Sequence, residues 1–227
     1  MRSHIYKKLV PVVAMVGLLA ASNASASIVY TASGKPDSDG LANVKATLTF
    51  GAGTLTIILQ NLYAGDNASG QTISGLELDG LSGTILLKTA TGNLEIVEPG
   101  GVTPDGTDVS LTHWGLDGTS GITTLTGGQP NEMIVGSAPN VNGGFDNFNP
   151  YVDQTATFTL TDSSFTANTT VTGVNFLFGT GPDGHLNGAV QPLTPSVPEP
   201  STIFVGAMLL LPLGASTIRI LRKNRAA

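Results

Sequence analysis

The side chains able to do chemistry in this 227-residue chain are mostly carboxylates: sixteen Asp and Glu, three His and no Cys. Acidic loops can hold calcium, which takes roughly six to eight oxygen ligands. Asp37-Ser38-Asp39-Gly40 begins like such a loop, but Leu41 stands where another oxygen ligand is needed and no Glu occupies the twelfth place. Asp105-Gly106-Thr107-Asp108 and Asp146-Asn147-Phe148-Asn149 are similar fragments, each read first as a turn capped by its own Asp side chain. No cofactor is assigned, and calcium stays a candidate.

His113 and His185 would need a third partner for a transition metal, and no spacing supplies one. The lack of Cys removes thiolate ligands, thiol nucleophiles and disulfides. There is no Gly-x-Ser-x-Gly elbow and no His-Glu-x-x-His pair, and although a glycosidase-like carboxylate pair could be assembled, nothing selects one. No catalytic residue or metal ligand is named, and the chain is read as non-enzymatic. Gly179-Thr180-Gly181-Pro182-Asp183-Gly184 has the letters of a dinucleotide fingerprint. A helix should follow it, yet Pro182-Asp183-Gly184 is turn chemistry and Gly188 and Pro192 come soon after, so the segment reads as a turn. Trp114, Tyr63, Tyr151 and Phe148 could stack on sugar rings, and Asn142 to Tyr151 is the densest polar-aromatic loop. Packing is the favoured reading for those rings.

The elements that must position these groups read as strands. Val44 to Phe50 alternates apolar and polar residues, Gly51-Ala52-Gly53 turns the chain, and Leu55, Ile57 and Leu59 share a face in Thr54 to Leu62, which together predict a hairpin. Ala156, Phe158 and Leu160 alternate with threonines, and Val174, Phe176 and Phe178 repeat the pattern. Further strands are expected at 27–31, 73–78, 85–88, 94–97, 109–114, 122–125 and 133–135. The expected fold is all-β: a single antiparallel β-sandwich, jelly-roll-like, over 27–181, followed by a Pro-, Gly- and Asn-rich linker at 182–197.

Charge separates the middle from the ends. Between Ser27 and Val197 fifteen acids face only Lys35, Lys45 and Lys88, a net charge of −12. Such a surface repels phosphates, so nucleic acid is excluded as a partner. Arg2, Lys7 and Lys8 precede an apolar run from Leu9 to Ala21, and Ala24 and Ala26 form the small-x-small pair that signal peptidase requires. The segment 1–26 reads as a signal peptide cut after Ala26.

At the other end, Val197-Pro198-Glu199-Pro200-Ser201 leads into an uncharged stretch from Pro200 to Ile218, followed by Arg219, Arg222, Lys223 and Arg225. Those 19 residues would reach roughly 28 Å as a helix, enough to cross a bilayer core even with Pro212 inside. The basic tail would stay on the cytoplasmic side, leaving the middle outside. This arrangement resembles the PEP-CTERM sorting segment of exported bacterial proteins. The resemblance implies that Pro198, Glu199 and Pro200 are the motif read by a membrane-embedded exosortase, and that the helix and basic tail in 198–227 are removed. It also implies a transient inner-membrane intermediate, then a cell-surface or matrix protein associated with extracellular polysaccharide or biofilm. Ile220, Leu221 and Asn224 break the basic cluster relative to that family's pattern.

Overall fold

Alternation of inward apolar and outward polar residues builds the sheet in the computed structural model, which describes residues 27–36, 40–118, 120–127, 129–140, 144–181 and 184–191. In chain order the strands are β1 (Ser27–Gly34), β2 (Ala42–Gly51), β3 (Thr54–Asn61), β4 (Ile73–Asp79), β5 (Leu86–Glu98), β6 (Gly101–Ser110) and β7 (Gly115–Asp117). Then come β8 (Gly121–Thr123), β9 (Ile134–Val135), β10 (Tyr151–Thr161), β11 (Gly173–Phe178), β12 (Gly184–Asn187) and β13 (Ala189–Val190). All lie in one unit ending at Val190. The expected signal segment with Ala24 and Ala26, the Pro198-Glu199-Pro200 motif, the apolar stretch and the basic tail fall outside the described residues. Among the described residues no helix is long and apolar enough to cross a membrane.

The expected hairpin is present as β2 and β3, paired from Val44 with Asn61 to Gly51 with Thr54. Val44, Ala46, Leu48 and Phe50 point inward from β2, and Leu55, Ile57 and Leu59 from β3. They meet Ala156, Phe158 and Leu160 of β10 and Leu76, Val174 and Phe176 of β4 and β11 in one apolar core. Burying a side chain of this size contributes about 1.5–3 kcal/mol, and ring pairs such as Phe50 with Phe165, in an edge contact at 5.7 Å, add to it.

The chain is all-β, in one large mixed sheet whose pairing path is β12-β11-β4-β9-β10-β3-β2-β1-β13. A purely antiparallel arrangement is corrected by β9, which runs parallel to β10 through Val152 with Ile134 and Asp153 with Val135. The path also returns to its start. β12 and β13 are separated only by Gly188, so one segment pairs with β11 by its first half and with β1 by its second. Gly188 donates its N–H to the Val174 carbonyl at 2.7 Å, and a Cβ there would meet Phe176 at 3.0 Å and Tyr30 at 3.3 Å. The linker expected from residue 182 therefore gives up 184–190 to the sheet.

Two further expectations change. The strands expected at 85–88 and 94–97 are one long strand, β5, which begins at Leu86. The strand expected at 109–114 ends at Ser110, and its main part is β6, which pairs with β5 alone. β6 has exposed residues on both faces and carries Pro104, which an edge strand tolerates because one side of its backbone has no ladder to serve.

Candidate functional site

The inward alternation of β3 does not stop at Leu59: Asn61 follows on the same face, 1% exposed, and must find hydrogen bonds inside. Its amide donates to Asp66 Oδ2 at 3.1 Å, to the Gln71 carbonyl at 3.1 Å and to the Ile134 carbonyl at 3.3 Å, while its oxygen accepts from the Tyr63 N–H. Asp66 is fully buried and accepts the Gly136 N–H at 2.6 Å. Gln71 spans the same region, accepting from the Asn67 N–H and donating to the Leu41 carbonyl. Asn61, Asp66 and Gln71 thus tie the 62–72 loop to 134–140 and to Leu41. Burial pushes the Asp66 carboxyl up to about 7, with the Gly136 N–H and Asn61 pulling against it. Its Oδ1 has no hydrogen-bond partner.

The polar-aromatic loop folds onto the outer face of β5 and β10. Phe145, Tyr151, Val97, Met133 and Val135 form a second apolar cluster, with Phe148 packed against it. Phe145 and Tyr151 meet edge to face at 5.4 Å, and the Tyr151 hydroxyl donates to the Phe145 carbonyl. Asn149 acts as a piece of strand: its amide donates to the Val97 carbonyl at 2.9 Å and its oxygen accepts the Val97 N–H at 2.8 Å. Trp114 is buried against Phe158 at 4.7 Å. Neither Trp114 nor Tyr151 offers a face for a sugar, since both rings are spent on packing. Tyr63 and Phe148 are half-buried.

Glu132 fastens the segment before β7. Its carboxylate accepts the Thr112 and His113 N–H groups at 3.1 and 2.9 Å and meets His113 Nδ1 at 3.2 Å, while its carbonyl accepts the Trp114 indole N–H at 2.8 Å. These bonds, with its own N–H on the Pro150 carbonyl, hold Glu132 at φ +61, a left-handed conformation that costs a non-glycine residue. The Thr112 hydroxyl points to the same carboxylate, not to the imidazole. The arrangement binds one loop to another; it does not line up a hydroxyl with a base.

Glu95 is a second buried carboxyl with an unpartnered oxygen. It lies in β5 between Tyr151 of β10 and Pro104 of β6, at 8% exposure, with Oε1 lacking any hydrogen-bond partner. Burial pushes its carboxyl up to about 7, and the charge of Asp153 adds to the rise. Beside it β10 bulges: Val152 pairs with Leu94 and Ala156 with Gly92, so two extra residues enter between them. Gln154, at φ +55, is thrown outward and donates to Asp153 Oδ1 at 2.8 Å.

No family model, curated protein or solved structure matches the chain. The acidic fragments weighed as calcium candidates are not drawn together. Residues 37–39 are outside the described set, Asp105 and Asp108 are exposed on β6, and Asp146 is exposed in a 3-10 turn. Among the described residues no three His, Asp or Glu side chains converge on a metal position. His113 reaches Glu132, and His185 lies exposed on β12 opposite Leu177. The Gly179 to Gly184 segment leads into a strand, not a helix, with Gly179 at φ +72 in the turn. Sequence reading missed Asn61, Asp66 and Glu95. The Leu55-Ile57-Leu59-Asn61 alternation points to Asn61; nothing local marks the other two.

Proposed function

We propose that this is an exported, exosortase-processed surface or extracellular-matrix protein of a structural or interaction type, not an enzyme, associated with exopolysaccharide or biofilm. The observation that carries the reading is the order of the C-terminal features: Pro198-Glu199-Pro200, an uncharged 19-residue stretch, then Arg219, Arg222, Lys223 and Arg225. A secretory segment at 1–26 delivers the middle to the side that this order requires. The all-β unit fits between them. β1 begins at Ser27, directly after the expected cleavage point, and β13 ends eight residues before Pro198. Jelly-roll-like sandwich topology is part of this proposal, supported by inward faces from β1, β2, β3 and β10 sharing one core with those of β4 and β11.

The test is the intact mass of the protein from cells with and without an exosortase. A product from Ser27 to near Pro198 only where the exosortase is present supports the reading, and a product that keeps Arg225 in both strains defeats it.

A further inference from the structure

We propose that Glu95 and Asp153 form a calcium site on the outer face of the β5–β10 pair. Three observations converge there. Glu95 is directly opposite Tyr151, and Asp153 is two residues further along β10 on the same face, the diagonal relation in which side chains of adjacent strands still reach each other. Glu95 is more than nine-tenths buried, with Oε1 unpartnered. The β10 bulge takes 153–155 off the β5 ladder, and Gln154 holds Asp153 by its Oδ1.

An ionised Glu95 is penalised twice, by the loss of water and by the neighbouring negative charge. A proton relieves only one of the two carboxylates. A divalent cation relieves both and gives the unpartnered Oε1 a positive partner. Asp153 is only half-buried and Gln154 is exposed, so the site can be entered from solvent. With two carboxylates as protein ligands, water and peptide oxygens complete the shell, which places the affinity in the weak class of about 10⁻⁴–10⁻³ M. This proposal is independent of how the chain ends are processed.

Terbium luminescence on the purified full-length chain tests it, because terbium takes calcium's oxygen ligands and emits when an excited ring is close, and Tyr151 is Glu95's strand partner. Sensitised emission is expected, displaced by excess calcium, with affinity falling about tenfold or more in Glu95→Gln and in Asp153→Asn. Asp105→Asn and Asp108→Asn, exposed on β6, should stay within about twofold of the parent. Melting should rise in millimolar calcium for the parent and not for Glu95→Gln, which removes a buried charge and keeps the side-chain shape. No emission from the parent, wild-type affinity in either Glu95→Gln or Asp153→Asn, or equal losses in all four variants would each overturn the site. The last result would mean diffuse attraction to an acidic surface.

Discussion

Asp66 and Glu95 are both buried, both carry an unpartnered oxygen, and both have carboxyls pushed up to about 7. Their surroundings differ in sign. Asp66 is met by donors, the Gly136 N–H and the Asn61 amide, so burial alone raises it and the neighbours resist. Glu95 is met by Asp153, so burial and neighbour push the same way. Asp162 marks the opposite extreme: the hydroxyl and N–H of Ser164 hold its carboxyl below the ordinary value. Donors around a carboxylate indicate a structural tie, whereas a second carboxylate beside an unsatisfied one indicates a place where something positive is wanted.

The contrast can be broken most strongly at Asp66. Asp66→Ala leaves the buried Gly136 N–H without its acceptor and takes one of three acceptors from the Asn61 amide, and urea unfolding should show a loss of about 3 kcal/mol. Asp66→Asn, which keeps an acceptor oxygen, should lose less.

Next in size is the effect of pH. Each of the two groups ionises near its ordinary carboxylate value when unfolded but only near 7 when folded, so the folded state holds extra protons between. Stability is therefore full below the ordinary carboxylate values and falls as pH rises to about 7. Denaturation midpoints followed from pH 4 to 8 check this. Glu95→Gln should remove roughly half of the fall and Asp66→Asn the other half, and added calcium should flatten only the Glu95 share. The smallest effect is expected from His113→Ala. The imidazole is 41% exposed, so its contact with Glu132 is worth less than about 1 kcal/mol, and thermal melting should barely move.

Much of the fold is legible in the residues, and the reason is alternation. β2, β3, β10 and β11 each bury one face, so their apolar residues recur at every second position. β6 has both faces in solvent and leaves no such trace, and β12 and β13 are short and polar enough to resemble a linker. The aromatic loop was legible only as to packing. Asp66 and Glu95 were not legible because their character is set across the sequence: Gly136 meets Asp66 70 residues away, and Asp153 meets Glu95 through strand register and a bulge. The contiguous acidic fragments read first as turns, and the calcium site we propose lies instead across two neighbouring strands.

The segment divided at Gly188 has a consequence for the order in which the protein can form. A chain emerging from its N-terminus delivers Gly184 to Val190 after every other strand, yet those residues occupy the seam between β11 and the first strand, β1. Until they arrive, the outer edges of β1 and β11 stand open, and the ring of backbone pairing has a gap. The sheet is in effect laced shut by its last two short strands, so loss of that segment should leave a sheet with two raw edges, the condition under which strands of different molecules join.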